Sequence, residues 1–243
     1  MKDNMVINVH AGHNPDGKIA CGAVGFLRES TEARRVKDEV ISQLRQLGHT
    51  VYDCTCENGT SQSDVLKKIV TACNAHRVDL DISIHFNSGA KDSAGNRKTT
   101  GTEAYVFDKG GRAAEYAEKI CRDIYSAGFR NRGVKENKSL YFLKNTNAPA
   151  VLVECCFVDD KDDAQCYDYL EMARAIVYGI TGKECTDAGK HDTKDESLAG
   201  TPSGTGRQLS RVQVGAYSVP ENAARMRDRL KAAGFTDAIV VKA

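Results

Sequence analysis

The sequence predicts an α/β fold, a twisted and mostly parallel sheet flanked by helices, with a small βαβ segment at its C-terminus. Three observations carry that expectation. Short β-branched runs alternate with stretches whose apolar residues recur at helical spacing as far as residue 182. Residues 150–157 (AVLVECCF) are almost continuously apolar, as in a central strand covered on both faces. Beyond them Gly, Ser, Thr, Asp and Lys displace the apolar pattern until a second, shorter alternation begins. The domains so drawn are residues 1–182, a flexible linker at 183–208 and a segment at 209–243.

In chain order, residues 5–9 read as a strand. Val36, Val40, Ile41, Leu44 and Leu47 then fall on one helical face that Gly48 stops. Residues 50–53 form a second strand, and Val65, Leu66, Ile69, Val70 and Cys73 a second helical stripe. Residues 79–86 (DLDISIHF) are a third strand, followed by Gly, Ser and Asn of loop composition from Asn87 to Gly95. A strand is expected at 103–107, then a helix burying Ala113, Tyr116, Ala117, Ile120, Cys121 and Ile124. A short strand at 140–143 precedes the apolar run, and a last helix carries Leu170, Ala173, Ile176, Val177 and Ile180. After the linker come a strand at 212–216, a capping box of Ser218 and Glu221, a helix with Ala223, Met226, Leu230 and Ala233 inward, and a strand at 238–241. That segment is below the size that usually folds without help.

Bulk properties exclude several classes. The chain has 243 residues, 41% hydrophobic and 28% charged, with a formal charge of +1, so no global field points to nucleic acid or an acidic membrane. No apolar run approaches the ~20 residues of a membrane span, and the start lacks a signal-peptide core. Nine cysteines, an odd number, cannot all pair within one chain, which fits free thiols in a reducing compartment. Synthesis and retention in a cytoplasm are therefore expected. Neither Cys54-x-Cys56 nor Cys155-Cys156 has C-x-x-C spacing, and an adjacent pair on one strand should point to opposite faces. Small buried hydrophobes is the expected role.

Three metal-competent side chains stand where elements begin or end: His13 past the first strand, Glu29 opening the first long helix and His85 near the end of the third strand. Two imidazoles and a carboxylate are the ligand set of many catalytic zinc sites. Singly, each has a plainer reading, such as a loop histidine or a glutamate serving the helix macrodipole, and their spacing makes no local motif. Glu154 is more informative, because a carboxylate inside a buried run is costly without a partner. It reads either as a salt-bridged or strand-end group or as a general base beside a metal.

His13 in its AGH turn, Glu29 ahead of the first helix, Ser83-Ile-His85-Phe-Asn87, and Glu154-Cys-Cys-Phe157 followed by Asp162 resemble the zinc-dependent N-acetylmuramoyl-L-alanine amidases of bacterial cell walls. The resemblance spans residues 1 to about 182. It implies that His13, Glu29 and His85 hold Zn2+, that Glu154 is the catalytic carboxylate, and that the substrate is the amide between N-acetylmuramic acid and L-alanine in peptidoglycan. Asn14-Pro15 depart from the family, which usually has a second glycine there. Glu32, one turn beyond Glu29, competes with it for the ligand role, and His10 is taken as packing or support. Substrate specificity is expected from Asn87 and the loop after it, and from a basic loop at 131–138 where Arg132 and Lys135 would meet stem-peptide carboxylates or form a solvated face. Arg211-Val-Gln-Val-Gly-Ala-Tyr217 and the residues after it resemble the opening half of a SPOR peptidoglycan-binding module. The expected partner is peptidoglycan, with no nucleic acid and no membrane, and the expected setting a phage endolysin or mother-cell autolysin held in the cytoplasm until lysis. Alternatives are a zinc carboxypeptidase or aminopeptidase on wall peptides and a metal-free wall-binding protein.

Overall fold

The computed structural model describes residues 4–185 and, beyond them, residues 223, 224, 227, 231, 235, 236 and 238–241. The first unit, Met1–Cys185, contains β1 (Val6–Ala11), α1 (Glu29–Gln46), β2 (Thr50–Asp53), α2 (Gln62–Asn74), β3 (Leu80–Asn87), β4 (Thr102–Val106), α3 (Arg112–Ser126), β5 (Asn131–Glu136), α4 (Tyr141–Asn145), β6 (Ala150–Phe157), α5 (Lys161–Cys166) and α6 (Tyr169–Thr181). One six-stranded sheet runs in the order β2-β1-β3-β6-β4-β5. β2, β1, β3 and β6 are mutually parallel, and the β4·β5 pair joins β6 antiparallel. This is the mixed, mostly parallel sheet that the alternation predicted.

Strand alternation gives the sheet two unlike faces. Ile7, Val9, Ile82, Ile84, Val151, Val153, Ala104 and Val106 pack with Val36, Val40 and Leu44 of α1, Ile120 and Ile124 of α3, and Ile176 and Ile180 of α6 in one large core. The opposite face carries Asn8, His10, Asp81, Ser83, His85, Leu152, Glu154, Glu103 and Tyr105. There a smaller core of Val65, Ile69 and Cys73 from α2, with Phe142 and Leu143 from α4, covers Ala150 and Leu152 near the start of β6. The C-terminal ends of β3 and β6 extend past that cover, which is where parallel sheets place ligands.

Several elements differ from expectation. Residues 140–143 are not a strand: the Asn137 side chain accepts from the Ser139 and Leu140 N–H groups, and the turn so formed runs into helix α4. A short apolar run is compatible with either element. Residues 131–136 are not a loop but the edge strand β5, whose charged composition suits an unpaired edge. Helix α5, unforeseen, starts where the Asp160 side chain accepts from the Asp163 N–H. Cys155 and Cys156 do not separate onto opposite faces, because a register shift between His85 and Asn87 inserts one extra residue in β6 and both thiols lie in the large core. No disulfide links any of the nine cysteines.

In the second unit, Thr186–Ala243, residues 223, 224, 227 and 231 are helical as expected. Residues 238–241 are not in a strand; Ile239 and Val241 are exposed, and no ladder partner exists for them among the described residues. The linker, the strand at 212–216 and the capping box lie outside the described residues.

Candidate active site

The ends of β1, β3 and α1 converge. The Gly12 N–H donates to the Ile84 carbonyl at 2.9 Å, carrying the exit of β1 against β3, and His13 follows with φ of 65°, a left-handed conformation rare outside glycine. Glu29 arrives as the first residue of α1. Its N–H donates to the Ala23 carbonyl at 3.0 Å, and its Oε2 accepts from the Ala23 N–H at 2.8 Å. Oε1 lies 3.2 Å from His13 Nε2 and 3.0 Å from His85 Nδ1, and accepts from the Phe86 N–H at 3.3 Å. Burial opposes the charge on Glu29, but the hydrogen bonds from His13 and His85 outweigh it and hold the carboxyl well below the usual range.

His13, Glu29 and His85 each direct one donor atom into a space where the three lie within 4.8 Å of one another. Two glycines leave room for them. A Cβ on Gly12 would stand 2.0 Å from His85 Cε1, and one on Gly22 would stand 2.5 Å from Glu29 Oε2 and 2.9 Å from His13 Cδ2. Two imidazole nitrogens and one carboxylate oxygen are a donor set that suits a catalytic divalent zinc ion. The residues present therefore fit the metal. Glu32 is elsewhere: it accepts from the Tyr167 hydroxyl at 2.9 Å and pairs with Arg35. His10 packs edge-on against Phe142, 4.7 Å between ring centres, and burial first, then the His85 charge, push its pKa down to about 3.

Glu154 pairs with His85 in the β3·β6 register and with Glu103 in the β4·β6 register, so the three form a row across neighbouring strands. Its Oε2 is buried without a hydrogen-bond partner. Burial raises its pKa to about 8, with further contributions from the negative charges of Glu29 and Glu103 and a smaller opposing one from Lys135.

Beyond Glu154 lies a wall that the sequence reading only partly names. Asn87, Arg132 and Lys135 come together on one buried carboxylate, Glu103. Its Oε1 accepts from Asn87 Nδ2 at 3.0 Å and the Tyr105 hydroxyl at 2.7 Å, and its Oε2 from Arg132 Nε at 2.6 Å and Lys135 Nζ at 2.5 Å. These donors overcome the burial penalty and lower the Glu103 pKa to about 2. Its signal was the alternation in residues 102–106 (TEAYV), which puts Glu103 and Tyr105 on one face. The loop between β3 and β4 is also fixed by carboxylates. Asp159 accepts from the N–H groups of Gly89, Ala90 and Lys91, Asp162 from those of Asn96 and Arg97, and Asp163 from that of Gly101. Asn14 bonds the Ile19 carbonyl and both polar groups of the Gly59 backbone.

A mostly parallel sheet that brings His–Glu–His donors and a neighbouring buried glutamate together near its strand ends suits a hydrolase able to hold a metal. The chain belongs to the N-acetylmuramoyl-L-alanine amidase family, whose model matches residues 7–182, and a SPOR domain model matches residues 206–243. It is 33% identical to an uncharacterized protein of Clostridium perfringens, over 80% of this chain and 57% of that protein. It is 28% identical to the sporulation-specific N-acetylmuramoyl-L-alanine amidase of Bacillus subtilis, over 70% of this chain and 60% of that protein. The chain thus spans less than two thirds of these curated relatives. Among solved structures, the catalytic domain of the CD27L endolysin targeting Clostridia difficile superposes with a TM-score of 0.66 at 26% identity, covering 75% of this chain and 99% of that domain.

Proposed function

We propose that this chain is a zinc-dependent N-acetylmuramoyl-L-alanine amidase that hydrolyses the amide joining N-acetylmuramic acid to L-alanine in peptidoglycan. The observation that carries this reading is that Glu154 sits opposite His85 on the neighbouring strand, close enough to feel the Glu29 charge, beside the clustered His13, Glu29 and His85 donors. Those three residues hold the metal, which when bound supplies Lewis acidity toward the amide carbonyl and acidifies water. Glu154 has the proton affinity of a base working near neutral pH: it takes the proton of the attacking water and returns it to the departing alanine nitrogen. Asn87, Arg132 and Lys135 face the peptide side of the scissile bond. The SPOR match at residues 206–243 supports a wall-bound enzyme, in which tethering raises the local substrate concentration. The absence of a disulfide at any of the nine cysteines supports synthesis and storage in a reducing cytoplasm before lysis, as a phage endolysin or mother-cell autolysin; fractionation of cells before and after lysis checks that part.

The test is product analysis on purified cell wall. New L-alanine amino termini on intact stem peptides, lost with a chelator and restored by zinc, are expected. Release of a terminal amino acid instead identifies a peptidase and sinks the proposal. Wall binding without any cleavage in the presence of zinc identifies a non-enzymatic wall protein.

A further inference from the structure

We propose that Glu103, Phe157 and Arg132 form a subsite for a free carboxylate of the stem peptide, with Glu103 as a positioning residue and Arg132 as the group that touches the ligand. This rests on the amidase reading above and names a determinant of its specificity.

The subsite is built by two irregularities in the sheet. Between Thr102 and Ala104 the β4·β5 register shifts, so that Arg132 and Gly133 together oppose Glu103, and Gly133 takes φ of 82°. In a regular strand Arg132 and Lys135, three residues apart, would point to opposite faces. The extra residue brings both to Glu103. The second shift, in β6, sets Phe157 opposite Asn87, where its ring lies under the Arg132 guanidinium at 4.9 Å. Arg132 is therefore fixed twice, by an ion pair through Nε and by its planar face. No hydrogen bond among the described residues uses its Nη1 or Nη2.

A guanidinium pinned in this way presents a two-donor edge that matches a carboxylate. The charge balance agrees. Glu103, 2% exposed, meets two cations, Arg132 at 29% and Lys135 at 38% side-chain exposure, one more than its own charge requires. Lys135 also acts on Glu154, so Arg132 is the cation available to a ligand carboxylate. Distance narrows the ligand: β5 stands two strand spacings from Glu154 on β6, about 10 Å, which an extended peptide covers in about three residues. The carboxylate accordingly belongs to the second or third residue of the stem, counted from the scissile L-alanine.

The full chain with zinc is assayed on two substrate pairs. One is N-acetylmuramoyl-L-alanyl-D-isoglutamate against its D-isoglutamine counterpart, both with the γ-carboxyl capped as an amide; the other is muramoyl-L-alanyl-D-isoglutaminyl tripeptides with the terminal α-carboxyl capped as an amide, whose third residue carries its side-chain carboxylate free or amidated. The parent is expected to prefer the free carboxylate in one pair by about 10- to 100-fold in kcat/KM, mainly through KM, and the pair identifies the residue recognised. Arg132→Gln brings that ratio to within about threefold of one. Glu103→Gln, which loosens the grip on Nε, lowers the ratio in the same direction. A merely structural loss would slow both members of a pair alike and keep the ratio. A parent ratio of one in both pairs, or a ratio unchanged by Arg132→Gln, overturns the subsite and leaves the amidase reading standing. Failure to cleave any of the four and purified cell wall as well overturns both; cleavage of wall with none of the four cleaved overturns the subsite alone.

Discussion

The two faces of the sheet are made of the same six strands and do different work. One is sealed along its length by α1, α3 and α6 and contains aliphatic side chains at or near zero exposure. The other pairs Asn8 with Asp81, His10 with Ser83 and His85 with Glu154 across neighbouring strands, and α2 and α4 cover only part of it. The large core is thereby concentrated on one side and the candidate site on the other. Substitutions on the two faces should separate accordingly.

The largest expected effect is on the open face. Glu154→Gln keeps the shape of the side chain and removes its proton affinity, so release of L-alanine amino termini should fall about 10²- to 10⁴-fold, the usual worth of a general base. Thermal stability at pH 8 should not fall. If the variant works at the parent rate, Glu154 is not the base. On the sealed face Ile82, fully buried, supplies the contrast. Ile82→Ala should cost about 2–5 kcal/mol in urea unfolding through lost burial and a cavity, while kcat per folded molecule stays within about twofold. A large fall in kcat at full folding would show that the faces are coupled.

A third, smaller effect probes the polar residues under α2. Burial raises the Asp81 pKa to about 6 against hydrogen bonds from Asn8 and Cys73. Because the folded chain holds this proton more tightly than the unfolded chain, Asp81 contributes stability that is present below pH ~4 and lost as pH rises through about 6. Asp81→Asn should flatten that fall by about 3 kcal/mol, read as the difference between the two unfolding curves across pH. A parallel pair of curves would mean that Asp81 does not titrate there.

How much of this was legible in the sequence follows from the same contrast. Period-two and period-3.6 patterns located β1, β2, β3, β6, α1, α2, α3 and α6, because burial on a regular element writes itself into spacing. Glu154 stood out for the same reason, as a charge inside an apolar run. The convergence of His13, Glu29 and His85 could be suspected only from their positions at element ends, since residues 16 and 56 apart meet through topology rather than spacing. α4 escaped because five residues are too few to show a period, and β5 because a charged edge strand has the composition of a loop. The wall around Glu103 was least visible. It depends on two register shifts, and a shift by one residue reverses which face every later side chain takes.

That dependence gives the smallest and most local prediction. Gly133 opens the register shift that brings both Arg132 and Lys135 to Glu103, and no atom lies within 4 Å of where its Cβ would be. Space is therefore not the obstacle; the backbone is, because φ of 82° strains any L side chain. Gly133→Ala should cost about 1 kcal/mol in unfolding free energy if the shift persists, and the Glu103 ion pairs favour that outcome. Relaxation of β5 into regular register would instead turn Arg132 or Lys135 away from the cleft. Strand-pair chemical shifts and the melting temperature together distinguish the two: a small loss with the register intact means that the polar hub enforces the irregularity, whereas a register change means that the glycine does.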